Sequence, residues 1–95
     1  MKKEKLIQVL EDTDFWEHDY FAVAIETEGN PGVEIIVNPR CNLNQKAAYY
    51  NKSYDDDLRL LTFPGIRIVG ACSFDEKISV DEIVERMELE VRSNL

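Results

Sequence analysis

The chain has 95 residues, 44% of them hydrophobic, and 19 acidic side chains against 11 basic ones, for a formal charge of −8. That is enough apolar material for a single domain, residues 1–95, which buries about 65% of its extended surface, and too much for disorder. The scattered cations exclude the clustered Lys and Arg that direct nucleic-acid binding uses, and no run approaches the ~18 apolar residues of a membrane span.

Lys2 to Glu11 reads as a short helix with Leu6, Ile7, Val9 and Leu10 on its apolar side. Its lysines stand at the positive end of the macrodipole, so its first turn is expected to fray. Asp12, Thr13 and Asp14 favour turns and are expected to end it, with Phe15 and Trp16 plugging the edge of the core.

Tyr20 to Thr27 alternates as a strand. Phe21, Val23 and Ile25 point one way, and Tyr20, Ala22, Ala24 and Glu26 the other. Glu28-Gly29-Asn30-Pro31-Gly32 is a loop by composition, and Val33 to Asn38 is the returning strand of a hairpin. Val33, Ile35 and Val37 are expected to share the face of the first strand's apolar set.

From Asn42 to Leu61, Leu43, Ala47, Tyr50, Tyr54, Leu58 and Leu61 recur at steps of three and four. That stripe predicts one long helix, with Asn42 as N-cap and Gln45 completing a capping box. The alternative division breaks the segment near Ser53 and makes Leu58 to Phe63 a strand paired with the next. Pro64-Gly65 ends the region in either case.

Ile66 to Phe74 is a strand interrupted by Gly70, which marks a bulge or a close backbone approach. Ile66, Ile68, Cys72 and Phe74 are expected on one face. Ser79 and Glu82 form a second capping box before the final helix, whose predicted stripe is Val80, Val84, Met87 and Val91.

The expected fold is therefore α+β, in the order α-β-β-α-β-α. Its mainly antiparallel three-stranded sheet has the spatial order 2-1-3, with the helices packed on it. The long and C-terminal helices are expected on one face. The other face would carry Tyr20, Ala22, Ala24, Ile36, Val69 and Ala71, too apolar for solvent, and covered by the first helix or by another chain. Those residues, with Tyr49 off the helical stripe, form the candidate interface, and a homodimer is the simplest occupant.

Chemistry is sparsely signalled. His18 lies between Glu17 and Asp19, and a lone histidine beside carboxylates suits general base catalysis, although a surface histidine in an acidic turn is the plainer reading. Cys41 precedes a helix start, where the dipole activates a thiol, but no base accompanies it locally. Cys41 and Cys72 make no zinc-binding set and read as free thiols of a reducing compartment. The acidic groups Asp12, Asp14, Glu17, Asp19 and Asp55-Asp56-Asp57 lack a calcium-loop pattern. No glycine pattern cradles phosphate. No catalytic residue, metal ligand or cofactor is assigned.

The segments Ile35-Ile36-Val37-Asn38-Pro39, Gln45-Lys46-Ala47-Ala48-Tyr49-Tyr50, Tyr54-Asp55-Asp56-Asp57-Leu58 and Ile66-Arg67-Ile68-Val69-Gly70 resemble small uncharacterised proteins of phages and mobile elements in low-GC Gram-positive bacteria. The resemblance implies a small cytoplasmic accessory protein and assigns no site. The expected role is non-enzymatic protein interaction, without direct nucleic-acid or membrane binding. The alternatives are an acidic nucleic-acid mimic that binds a basic host protein, and a small enzyme using Cys41 or His18.

Overall fold

The first helix, α1, runs Lys3–Phe15, one turn beyond its expected end, in the computed structural model, which describes residues 1–75 and 78–94. Strand β1 (Tyr20–Thr27) and strand β2 (Glu34–Pro39) follow. A 3₁₀ turn, Arg40–Asn42, leads into helix α2 (Leu43–Ser53). Strand β3 (Arg59–Leu60), strand β4 (Phe63–Phe74) and helix α3 (Val80–Ser93) complete the chain. The four strands form one antiparallel sheet in the order β2-β1-β4-β3.

Helix α1 passes through Asp12-Thr13-Asp14 because the Thr13 side chain is buried and its hydroxyl donates to the Val9 carbonyl at 2.7 Å. Leu6, Leu10 and Thr13 then share the buried side. Its first turn is pinned where fraying was expected. Lys2 pairs with Asp57, and Lys5 reaches Glu90 at 2.7 Å. The Lys3 ammonium donates to the Asn51 carbonyl (3.0 Å) and to that of Tyr54, so the N-terminal segment caps the carbonyl end of α2.

The long central helix divides near Ser53, as in the alternative reading of this segment. After Ser53, Asp55-Asp56-Asp57 forms a turn: the Leu58 N–H donates to the Asp55 carbonyl (2.9 Å) and the Asp55 N–H to the Arg59 carbonyl (3.0 Å). The Asp55 carboxylate accepts the Asp57 and Arg59 N–H groups, each at 2.9 Å. The three aspartates thus belong to a turn and not to a helix face. Leu43, Tyr50, Tyr54 and Leu58 are buried all the same, while Leu61 stands exposed. Burial pushes the Tyr50 and Tyr54 hydroxyls up to about 12. Asn42 closes the 3₁₀ turn and makes no side-chain cap.

Two features redistribute the strand faces. In the hairpin, Phe21 pairs with Asn38, Val23 with Ile36 and Ile25 with Glu34. Odd positions meet even ones, so Ile36 joins Phe21 and Val23, while Val33 and Ile35 pack with Ala22 and Ala24. In β4 the register with β1 shifts by one residue between Gly70 and Ile68. That bulge sends Ile68 and Ala71 to one core and Val69 and Phe74 to the other.

Each face has its own core. Phe21, Val23 and Ile68 pack with Leu6, Leu10, Leu43, Tyr50, Tyr54 and Leu58 beneath α1 and α2. Ala22, Ala24, Val69 and Phe74 pack with Ile83 and Met87 of α3. The C-terminal helix therefore lies opposite α2 and covers the face expected to be open. Its buried stripe is Ile83 and Met87 with Val91 beside them, and Val80 and Val84, placed on the stripe by periodicity, are exposed. The Ser79 hydroxyl accepts the Glu82 N–H at 3.2 Å, as its capping signal predicts. A Cβ on Gly70 would stand 3.1 Å from Val91 Cγ2, so Gly70 supplies both the bulge and the close approach of α3.

Candidate interaction surface at the end of helix α1

Helix α1 ends in a Schellman motif. The Glu17 N–H donates to the Asp14 carbonyl (3.2 Å) and the His18 N–H to the Thr13 carbonyl (3.0 Å). The motif needs a left-handed residue, and Glu17 takes that role at φ 53°. Phe15 lies half a turn of the helical wheel from Leu6, away from the core. Phe15 is 74% exposed and Trp16 65%, their rings edge to face with centroids 4.8 Å apart. They do not plug the core; they project from it. The wheel carries this signal: Leu6, Leu10 and Thr13 define the buried side, and Phe15 falls opposite.

Carboxylates flank the pair along the chain. Asp12, Asp14 and Glu17 come from the same helix end, and Asp19 follows. Asp12 accepts from the Gln8 amide at 2.9 Å. An open cleft of about 380 Å³ is lined by Asp14, Asp19, Pro39, Arg40 and Cys41. A second groove, about 250 Å³, runs between α1 and α2 along Ile7, Leu10, Leu43 and Ala47 and also reaches Asp14. Asp14 lines both, so the mainly apolar groove and the cleft that holds Asp19, Arg40 and Cys41 share one residue, next in the chain to Phe15.

The same corner holds the two chemical candidates. The His18 Nδ1 and Ser73 Oγ atoms are 2.6 Å apart, which ties the turn after α1 to the end of β4. His18 is half-buried, and Ser73 stands opposite Phe21 in the sheet. Cys41 is exposed in the acidic cleft, with Asn42 Oδ1 at 3.7 Å. Burial, with Glu90 adding to it, pushes the Cys72 thiol up and away from reactivity.

Of the expected interface residues, Ala22, Ala24 and Val69 are buried beneath α3, with Tyr20 half-buried against them. Ala71 is buried in the other core, and Ile36 is partly buried there. They do not form one surface. Tyr49 is exposed, its ring under the Lys46 ammonium at 5.6 Å.

A separate cleft of about 240 Å³ is lined by Lys2, Asp57, Arg59, Arg67, Val91 and Asn94. Its cations are already engaged: Lys2 by Asp57, Arg59 by Asp55 (3.1 Å) and Arg67 by Glu26 (3.1 Å). They also stand beside the carbonyl end of α3, whose dipole favours positive charge. Among the described residues, no group of three or more His, Cys, Asp or Glu is arranged to hold a metal ion. No described helix is long and apolar enough to cross a membrane.

No family model matches this chain, and neither a curated protein nor a solved structure is significantly similar to it.

Proposed function

We propose that the chain is a non-enzymatic interaction module, a cytoplasmic accessory protein of a phage or mobile element, whose contact surface is the acidic aromatic corner and the groove leading to it. One observation carries this reading: the Phe15–Trp16 pair stands in solvent on a segment that also carries Asp12, Asp14, Glu17 and Asp19. Exposed aromatics are costly to leave in water and are the residues that dominate binding energy when a partner buries them. The surrounding charge selects a basic partner, and the apolar groove suits a segment with aliphatic side chains along one side. Where that partner is a nucleic-acid-binding protein, the acidic corner competes with nucleic acid for the same cations.

Trp16 is the only tryptophan, so its fluorescence reports the corner directly. Titration with a Lys/Leu amphipathic peptide should shift Trp16 emission, and raised salt should reverse it. A Glu/Leu peptide of the same pattern should leave the emission unchanged. F15A should weaken binding at least tenfold without altering the melting curve. Equal response to both peptides, or none to either, defeats the reading.

A second reading rests on the 2.6 Å His18–Ser73 contact. With Nε2 protonated, His18 Nδ1 takes the Ser73 proton as Oγ attacks an acyl carbon, and returns it to the leaving group. Labelling of Ser73 by a fluorophosphonate, lost in His18→Ala, supports this chemistry. An unlabelled Ser73 removes it.

A further inference from the structure

We propose that the open edge of β2 pairs with the same edge of a second copy, in antiparallel register centred on Ile36, to give a two-fold dimer with one continuous eight-stranded sheet. The sheet order places β2 at an edge; its one proline, Pro39, stands at the last position and ends the ladder there, and the run Glu34-Ile35-Ile36-Val37-Asn38 before it carries no lysine and no bulge to blunt it. Its backbone polarity is known from its inner side. The Arg40 N–H donates to the Asp19 carbonyl at 2.9 Å, and the register continues through Asn38–Phe21 and Ile36–Val23. Even-numbered residues of β2 therefore direct their N–H and C=O toward β1, and Ile35 and Val37 direct theirs outward. Val37 is 42% exposed.

The outer edge is self-complementary in one register. With Ile36 facing Ile36 of the second copy, Ile35 of each chain faces Val37 of the other, and both N–H and C=O groups of each pair are used. Every central cross-strand pair is then β-branched on β-branched, the combination that favours sheet pairing. Glu34 falls opposite Asn38 at the two ends of the ladder, in the non-hydrogen-bonded position where side chains approach most closely. Asn38 is the second and independent observation. It is only 6% exposed, and its amide nitrogen has no hydrogen-bond partner among the described residues. A buried unsatisfied amide is destabilising, and the Glu34 carboxylate of a second copy supplies an acceptor once the Asn38 side chain turns toward the edge. A foreign strand would match the backbone donors and acceptors, but only a copy of this chain in this register brings a carboxylate to both asparagines.

The inference does not depend on the acidic corner, since β2 is remote in role from Phe15 and Trp16 and the tests use different residues. Light scattering after size exclusion, across a dilution series, reads the mass. Amide exchange by NMR reads the interface. Twice the mass of one chain is expected at high concentration, with the Ile35 and Val37 amides protected there and fast-exchanging on dilution. The Ile36 and Asn38 amides, bonded to β1, should stay protected throughout. Val37→Pro removes an outward N–H and leaves the β1 ladder intact, so it should weaken the dimer at least tenfold while exchange at Ile36 shows the hairpin still folded. Glu34→Ala should weaken it less, about threefold. A chain that stays monomeric overturns the proposal. So does a dimer in which the Ile35 and Val37 amides remain unprotected, or one that Val37→Pro leaves unchanged, because another strand or surface would then be the contact.

Discussion

Glu17 and Leu58 both hold left-handed backbone, at φ 53° and φ 59°, and neither is the glycine that such positions favour. Each conformation costs roughly 1–2 kcal/mol for an ordinary residue. At Leu58 the offset is visible. Its side chain is fully buried, its N–H reaches the Asp55 carbonyl at 2.9 Å, and its own carbonyl accepts the Ile68 N–H at 2.9 Å. Burying a leucine contributes about 1.5–3 kcal/mol, enough to hold the turn in place. Glu17 has an exposed side chain and, among the described residues, only the Schellman hydrogen bonds around it. Its conformation turns the chain out of α1, leaves Phe15 and Trp16 in solvent and carries His18 onto Ser73. One strained residue is held by the core it helps to build. The other is held at the surface proposed for binding, which is where uncompensated strain collects.

The largest effect expected from this contrast is at Leu58. Leu58→Ala keeps the left-handed strain and removes the core contact, so unfolding in urea should show a loss of about 3 kcal/mol. Leu58→Gly loses the same contact but relieves the strain, and should be the more stable of the two by about 1 kcal/mol. In most core positions glycine is the worse replacement, so the inverted order is diagnostic. If alanine is the milder substitution, the backbone at Leu58 is not under strain and the comparison fails on that side.

Glu17→Gly is the counterpart and should act in the opposite direction. With no core contact to lose, it should stabilise the chain by about 1 kcal/mol in the same measurement, whereas Glu17→Ala should change little. A destabilising Glu17→Gly means that the glutamate side chain does more for the corner than its exposure suggests.

Much of this architecture is readable in the residues, and the places where reading stops have physical causes. The hairpin, the central position of β1, the parallel sense of β2 and β4 across it and the start of α3 at Ser79 all follow from alternation, turn composition and capping. The split of the central segment does not. Tyr54 and Leu58 are buried in the structure for reasons of turn geometry, yet their four-residue spacing continues the stripe of α2, so a helix and a helix plus turn present the same pattern. Strand β3, with two residues, is too short to show a period of two. The face assignments fail through parity. An even-length hairpin connection and one extra residue at the β4 bulge each reverse the side on which later residues fall, and neither leaves a mark in hydrophobicity. The acidic corner was legible only in part. The carboxylates stand out in the sequence, but Phe15 and Trp16 look like core until α1 is known to continue through Thr13, after which the wheel places Phe15 outside.

Acid should separate the two left-handed sites by a smaller effect. The Asp55 carboxyl is held below its ordinary 3.8 chiefly by the Arg59 N–H, with the Asp57 N–H and the Arg59 guanidinium adding to it. The Lys2 ammonium holds Asp57 down in the same way. Groups with depressed folded values stabilise the fold above the ordinary carboxylate value and lose that contribution as pH falls through the lower, folded one. The turn before Leu58 and the Lys2 clasp should therefore loosen at the acid end. The cap at Glu17 is closed by main-chain carbonyls of Thr13 and Asp14, which do not titrate. Amide exchange by NMR, followed at stepwise lower pH, should show protection lost first at the Asp57 and Arg59 N–H groups, with the Glu17 and His18 N–H groups of the cap opening only with global unfolding. Asp55 and Asp57 are only half-buried, so solvent screens their interactions, the stability change is small and the order of events is the test. If the Asp57, Arg59 and His18 N–H groups lose protection together, the two turns belong to one cooperative unit, and the strain at Glu17 is carried by the whole fold instead of by its own corner.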